Sequence, residues 1–305
     1  MRMGSGTDYG LRPPRRLWYP VAMNALYQPT QVESLPAAGV ALHVEHFLPA
    51  GPARLVLIAV HGYGAYCGLY RHVAGSLADN GIAVTQFDCR GHGHSAGRRG
   101  HVDRFDDYHA DLALVVQRAR ELSPGLPWAL MGHSLGGAIV LDHVLRRKSD
   151  PQADRLIALA PWLELKLKVR MPKRAAAQVF SRLAPTLTMS NGLKAEDISR
   201  NPVVIANFFR DPLVHHVATA GCFAAILRTQ AGLRAMAAQL QVPTLMLVAG
   251  QDRIVSNEAT LAFAQTAGKI VEVRQYPALY HELFLEPERA QVVNDLATWL
   301  LQPRA

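Results

Sequence analysis

The segment Gly132–Gly136, with the sequence Gly-His-Ser-Leu-Gly, constrains the fold of this chain more than any other feature. An apolar run at 127–131 precedes it and a second at 137–141 follows it. This order predicts a buried strand, a sharp turn and a helix, with the hydroxyl of Ser134 exposed above the end of a sheet. The two outer glycines indicate that neighbouring backbone passes close to the turn, where Cβ atoms would obstruct it. The pattern arises by chance in about one such chain in fifteen, so the surrounding sequence has to support it.

The surrounding sequence alternates between buried strands and helices. Near-continuous apolar runs, which are typical of strands buried on both faces, lie at 55–60, 82–87, 128–131, 156–160, 244–249 and 270–273. Helical patterns separate them at 70–78, 106–122, 135–147, 258–267 and 287–301. The segment Val40–Phe47 alternates with period two, which favours an early antiparallel strand. Together these patterns predict an α/β fold with a mostly parallel central sheet and helices on both faces.

The alternation stops between about Leu163 and Gln230, where no buried strand is evident. An insertion of this size between two strands predicts a helical cap over the strand ends. We therefore expect one α/β domain at 36–302, with the cap inserted at about 163–230, and a poorly ordered lead-in at 1–35. The cap contains a basic cluster at 166–174. A solvated face is the simplest interpretation of this cluster, and peripheral contact with an anionic membrane is the alternative.

Composition narrows the classes of partner. The 305 residues carry a formal net charge of +8, but no zinc-finger or RNA-binding signature accompanies it, so we expect no nucleic-acid partner. Three cysteines without CxxC spacing predict free, buried thiols in a reducing compartment. No apolar run reaches the length of a membrane span or a signal peptide, which predicts a soluble, cytoplasmic protein. No residues have metal-ligand spacing, so we expect neither metal nor cofactor, and the oligomeric state stays open.

An activated serine needs a base, and the base needs a carboxylate that fixes its tautomer. Enzymes with this elbow place the acid and then the histidine after the serine along the chain. Asp252 follows the strand at 244–249, and His281 follows the last strand, so both lie at the same sheet edge as the elbow. The sequence predicts Ser134 as nucleophile, His281 as general base and acid, and Asp252 as orienting carboxylate. A helix cap at Asp252 and an exposed loop histidine at 281 are the alternatives.

Acyl transfer also requires two donors aimed at the developing oxyanion. One is the backbone N–H of Leu135, directly after the nucleophile. The other is expected in the loop after the strand at 55–60, where the sequence is His-Gly-Tyr-Gly, and the N–H of Tyr63 is the candidate.

With these residues in view, the chain resembles the monoacylglycerol lipase and lysophospholipase group of α/β-hydrolases over about residues 36–302. The resembling segments are 61–64, 88–95, 99–108, 132–137, 211–213, Asp252 and 280–282. The resemblance implies an α/β-hydrolase fold with a cap after the sixth strand. It also implies a triad of Ser134, Asp252 and His281 and an oxyanion hole at Tyr63 and Leu135. Long-chain acyl glycerides or lysophospholipids would be the substrates, without a cofactor.

The sequence departs from the group at three positions that the resemblance implies for substrate binding. Ala65 and Leu69 stand where members often have a charged pair, and Phe208 stands where well-known members have a tyrosine. A pocket built to pair a hydroxyl discriminates strongly, whereas an apolar one discriminates weakly. These substitutions therefore predict weaker selection for a glycerol head.

The sequence predicts a serine carboxylester hydrolase that acts on a small acyl ester or lipid through an acyl-enzyme. A broad carboxylesterase and an acyltransferase would use the same triad. A non-catalytic ligand-binding protein is disfavoured because all three triad residues are present. An aminopeptidase is disfavoured because the cap has no evident acidic cluster for a substrate amine.

Overall fold

An eight-stranded sheet forms the centre of the molecule, and the computed structural model describes residues 26–148, 151–166 and 179–303. In sheet order the strands are β1 (Gln31–Ala37), β2 (Val40–Phe47), β4 (Ile82–Phe87), β3 (Leu55–Val60), β5 (Trp128–His133), β6 (Arg155–Leu159), β9 (Thr244–Ala249) and β10 (Val271–Tyr276). In this sheet the neighbouring strands β4, β3, β5, β6, β9 and β10 are parallel to one another, whereas β2 is antiparallel to both β1 and β4. The apolar runs form these strands because β4, β5, β6 and β9 are buried along their whole length. The predicted mostly parallel sheet is confirmed.

Helices cover both faces of this sheet, as the alternating pattern predicts. On one face α1 (Arg71–Asp79) packs against α8 (Arg289–Leu301), and on the other α2 (Phe105–Leu122) packs against α3 (Leu135–Arg146). Helix α7 (Asn257–Ala267) lies against β9 and β10. Short 3₁₀ helices in the described ranges are Cys67–Tyr70, Ala237–Gln239, Gly268–Ile270 and Leu283–Leu285.

Between β6 and β9 the chain leaves the sheet and forms the cap. Its described elements are β7 (Thr188–Ser190), α4 (Ala195–Ile198), α5 (Pro202–Phe208), β8 (Val217–Thr219) and α6 (Ala220–Ala235). Asn201 and Thr219 start α5 and α6 because each side chain accepts a hydrogen bond from a backbone N–H of the first turn. Helix α6 packs against α2 and α3, which joins the cap to the helices of the sheet.

The structure contains strands where the sequence indicates none. Strands β7 and β8 pair antiparallel inside the cap, but three residues are too few to show a strand pattern. Strand β1 begins at Gln31, inside the region 1–35 that we expected to be a poorly ordered lead-in. Its side chains alternate between half-buried and exposed positions, so it lacks the apolar run that marks the central strands. Residues 1–25, and residues 167–174 of the basic cluster, lie outside the described residues.

All three cysteines, at 67, 89 and 222, are free and buried, as predicted. Across the described ranges, no helix combines the length and the apolar character needed to cross a bilayer.

Candidate active site

Ser134 lies at the sharp turn between β5 and α3, as the elbow pattern predicts. Its backbone has φ 53° and ψ −111°, a conformation that a residue with a side chain rarely adopts. Its N–H donates to the carbonyl of Leu159 at 2.9 Å, and its carbonyl accepts from the N–H of Trp162 at 2.9 Å. These hydrogen bonds anchor the turn to the end of β6 and to the start of the cap.

The elbow glycines have the steric role that the sequence predicts. A Cβ on Gly132 would lie 2.1 Å from the carbonyl oxygen of Gly136. A Cβ on Gly136 would lie 2.2 Å from the carbonyl oxygen of Val60, at the end of β3. Because both obstacles are backbone atoms, no side-chain rotation could relieve either overlap.

Asp252 and His281 form a buried pair at the same edge of the sheet. Asp252 lies three residues beyond β9, and His281 lies five residues beyond β10. The Nδ1 of His281 is 2.7 Å from the Oδ2 of Asp252. The other oxygen of Asp252 accepts hydrogen bonds from the N–H groups of Ile254 and Val255 at 2.8 and 3.0 Å. These contacts fix the carboxylate, so Asp252 is not a simple helix cap and His281 is not an exposed loop residue.

This geometry determines the protonation of the pair. Burial opposes the charged form of Asp252, but His281 and the two backbone donors lower the pKa of its carboxyl below the ordinary value. Burial alone would lower the pKa of His281, but the charge and hydrogen bond of Asp252, with a contribution from Glu282, raise it. Because an ionised carboxylate only accepts hydrogen bonds, Nδ1 carries the proton and Nε2 keeps a free lone pair. The ring can therefore accept a proton at Nε2.

Ser134 and His281 line the same cavity. No hydrogen bond joins the hydroxyl of Ser134 to the imidazole among the contacts of these two described residues. Catalytic hydrogen bonds are often long or poorly aligned before substrate binds, so the absence of this hydrogen bond does not exclude a joint catalytic role.

His133 and Glu282 hold the loop that carries His281 in place, a role that the sequence does not reveal. The Nε2 of His133 donates to the carbonyl of His281 at 3.0 Å. The carboxylate of Glu282 accepts from the hydroxyl of Tyr70 at 3.0 Å and lies 3.5 Å from the Nδ1 of His133. Burial lowers the pKa of His133, and the charge of Glu282 opposes this only in part. The loop that carries His281 is thereby fixed to the elbow and to the start of α1.

The loop after β3 is held by His61. Its Nδ1 donates to the carbonyl of Gly62 at 2.7 Å, and its Nε2 accepts from the N–H of Cys89 at 2.9 Å. Tyr63 follows in this loop and, like Ser134, lines the cavity. Leu135 is the first residue of α3, so its N–H has no acceptor within the helix. Tyr63 thus lies in a loop that borders the cavity of Ser134, and Leu135 directly follows Ser134 in the chain.

The cavity has an empty volume of about 950 Å³, which includes space open to solvent, and its lining is mostly apolar. Cap residues in its wall include Met189, Leu193, Ile198, Phe208, Phe223 and Ile226. Glu282 is the single carboxylate among the described residues that line it. The cavity suits an acyl chain that reaches Ser134 under the cap.

The three positions predicted to shape substrate binding separate in the structure. Phe208 lines the cavity. Ala65 and Leu69 are buried in the hydrophobic core and are not among the lining residues. Their apolar character therefore fits core packing, and the cavity receives polar groups from other segments, at Ser190, Asn191 and Glu282.

One group of potential metal ligands occurs in the described ranges, formed by His43, Cys67 and Asp88. The two carboxylate oxygens of Asp88 already accept hydrogen bonds from the N–H groups of Cys67 and His94 at 2.7 Å. Burial, with the negative charge of Asp88, raises the pKa of the Cys67 thiol well above its ordinary value. Both oxygens of Asp88 are therefore occupied by backbone donors of two separate segments.

Known proteins resemble this chain over most of its length. The protein family described as "Serine aminopeptidase, S33" matches residues 51–288. A monoacylglycerol lipase from Mycolicibacterium smegmatis is 32% identical over 265 residues, which cover 86% of this chain and 94% of the relative. A phospholipase from Bacillus subtilis is 29% identical over 239 residues, which cover 78% and 91%. The crystal structure of Paleococcus ferrophilus monoacylglycerol lipase matches with a TM-score of 0.77 and 29% identity, covering 85% and 98%.

We expect Gly136→Ala to lower the free energy of unfolding by about 3 kcal/mol, because the added methyl group overlaps the carbonyl of Val60. Urea denaturation of the variant and the wild type measures this difference. Gly51→Ala is the matched control, since a Cβ there meets nothing within 4 Å, and its stability should stay within about 0.5 kcal/mol of wild type. Equal stability of the two variants would contradict the close contact at the elbow.

Proposed function

This chain belongs to the α/β-hydrolase family described as serine aminopeptidase S33, and we propose that it is a serine ester hydrolase that cleaves long-chain monoacyl lipids. One observation carries the proposal: a strained serine and a buried Asp–His pair meet at one apolar cavity under a cap. We assign Ser134 as nucleophile, His281 as general base and acid, and Asp252 as the carboxylate that orients His281. The relatives with matching length include a monoacylglycerol lipase and a phospholipase, which supports a lipid ester as substrate.

The first half of the reaction forms an acyl-enzyme. His281 removes the proton from Ser134 Oγ through Nε2 while Oγ attacks the ester carbonyl carbon. Asp252 stabilises the imidazolium that results. The N–H groups of Tyr63 and Leu135 donate to the oxyanion of the tetrahedral intermediate. The intermediate collapses when His281 gives its proton to the leaving alcohol, which breaks the ester bond and leaves the acyl group on Ser134.

The second half consumes water. His281 removes a proton from a water molecule that attacks the acyl carbonyl, and the same two donors hold the new oxyanion. Proton return to Ser134 Oγ releases the fatty acid. An acyltransferase would replace the water with a second alcohol, so added acceptor alcohols would divert product from acid to ester.

The cap supports a further proposal of peripheral contact with anionic membrane. Val179, Phe180, Leu183 and Leu187 are exposed apolar side chains that follow the basic cluster at 166–174 along the chain. Lys166 donates to the carbonyl of Asp252, and residues 167–174 lie outside the described residues.

Three free, buried thiols support a reducing, cytoplasmic location.

Vesicle sedimentation tests the membrane contact. We expect binding to vesicles that contain an anionic phospholipid, weaker binding to purely zwitterionic vesicles, and loss of the difference at high salt, where charge attraction is screened. Equal binding to both kinds of vesicle at low salt would remove the electrostatic contribution.

We expect Ser134→Ala to lower ester hydrolysis by at least about 10³-fold without loss of the fold. Four esters hold the acyl chain constant and vary the alcohol: monoacylglycerol, lysophosphatidylcholine, an alkyl ester and a p-nitrophenyl ester. An aminoacyl amide is measured beside them as a peptidase substrate. Serine-dependent turnover of the esters with little turnover of the amide is expected, because cleavage of an amide requires protonation of a far poorer leaving group. Near-normal ester turnover by Ser134→Ala would remove the nucleophile assignment, and preferred turnover of the amide would favour a peptidase.

The raised pKa of His281 predicts the pH profile. His281 accepts a proton only when neutral, so kcat/KM should fall as the pH drops through its pKa, which lies above the ordinary histidine value. The groups that face His281 are Asp252, Glu282 and His133. Glu282→Gln removes one negative charge and should move this acid limb to lower pH. Glu258→Gln, at an exposed position on α7, is the control and should leave the limb unchanged. If the acid limb of kcat/KM lies at the same pH in both variants, an electrostatic effect of Glu282 is excluded.

A further inference from the structure

The side chain of Tyr63 connects three segments that are distant in sequence. Its hydroxyl lies 3.0 Å from the carbonyl oxygen of Gly100, in the loop between β4 and α2. It lies 3.1 Å from the carbonyl oxygen of Val217, the first residue of the cap strand β8. One hydroxyl has one hydrogen, so the two carbonyls share it. The residue whose backbone N–H is proposed as an oxyanion donor is therefore attached to the cap by its side chain.

Backbone hydrogen bonds hold β8 at the same place. The N–H of His215 donates to the carbonyl of Gly64 at 3.0 Å, and the N–H of Thr219 donates to the carbonyl of Gly100 at 3.0 Å. The contact leaves no room for a side chain at Gly64 or Gly100, which face this part of the cap. A Cβ on Gly64 would lie 2.7 Å from the carbonyl oxygen of His215, and one on Gly100 would lie 2.3 Å from that of Val217.

The environment of Tyr63 keeps its hydroxyl a neutral donor. The ring packs edge-on against His92, Trp162 and His215, with centroid distances of 5.4, 6.0 and 5.3 Å. Burial, with a smaller effect of Cys222, raises the pKa of the hydroxyl well above its ordinary value. The ring therefore has little freedom to move unless β8 moves with it.

We propose that Tyr63 is a positioning residue that couples the cap to the oxyanion hole. This inference rests on the proposed function, in which the backbone N–H of Tyr63 binds the oxyanion. Displacement of β8 pulls on the hydroxyl and turns the N–H away from the reacting carbonyl. The cavity wall includes Ala218, in β8, and Phe223, in α6, so an acyl chain that fills the cavity presses on the same segment. Part of the binding energy of the acyl chain thereby raises kcat and does not lower KM.

Tyr63→Phe tests this coupling because it removes the hydroxyl and keeps both the ring and the backbone N–H. The matched control is Tyr66→Phe, which removes a different hydrogen bond between the same loop and the cap, from the Tyr66 hydroxyl to Asp211 Oδ2 at 2.8 Å. Kinetics are measured on long- and short-chain p-nitrophenyl esters below the lower of the two melting temperatures. We expect Tyr63→Phe to lower kcat by about 10- to 100-fold with KM within about twofold. Tyr66→Phe should keep kcat within about twofold.

Binding of an alkyl boronic acid, which forms a tetrahedral oxyanion adduct with a reactive serine, gives a second readout. Its affinity for Tyr63→Phe should fall by the same factor as kcat/KM, whereas a purely structural role would lower the melting temperature of both variants without this parallel. A kcat of Tyr63→Phe within twofold of wild type, or equal losses in both variants, would overturn the coupling. If the wild type shows no Ser134-dependent turnover, the proposed function fails and the coupling fails with it. Normal wild-type turnover with an insensitive Tyr63→Phe rejects the coupling alone.

Discussion

The contact between the first turn of α3 and the end of β3 has no side chain in it. The carbonyl of Val60 occupies the space that a Cβ on Gly136 would need, so two backbone segments touch directly. One segment carries Ser134 and Leu135, and the other continues through His61 to Tyr63. The distance between Ser134 and the loop that carries Tyr63 is thus set by backbone atoms, which cannot change rotamer. The geometry of the whole site depends on this contact.

The electrostatics of the site separate two neighbouring histidines. The rings of His133 and His281 lie 4.8 Å apart, and both are buried. Burial lowers the pKa of His133, whereas the buried Asp252 raises that of His281. A proton that enters the site is therefore held by His281, and His133 stays a neutral donor to the backbone. The difference comes from one hydrogen-bonded carboxylate, which is how similar groups acquire different tasks.

The sequence predicts those features of the fold that depend on local periodicity. Strands β3, β4 and β9 have the predicted bounds, because a strand buried on both faces needs a near-continuous apolar run. Asp252 is accessible to the same reasoning because it follows β9, whereas His281 follows the edge strand β10, whose residues are mostly half-buried or exposed. By contrast, β1 and β8 have no local signature. The hydrogen bond of the Tyr63 hydroxyl to Val217 links residues 154 positions apart, and the carboxylate in the cavity wall belongs to Glu282. Such contacts are decided by tertiary packing, which no short window of sequence contains.

The carboxylate of Glu282 in the cavity wall affects the release of the product. In the proposed reaction an uncharged ester enters this mostly apolar space, whereas the fatty acid released from it is an anion. Glu282 lines the cavity, and His281, which also lines it, contacts the buried carboxylate of Asp252. A third carboxylate in such poorly solvated surroundings meets like charge and loses its hydration. The cavity therefore holds its substrate better than its product, and the charge created by hydrolysis itself promotes departure of the fatty acid.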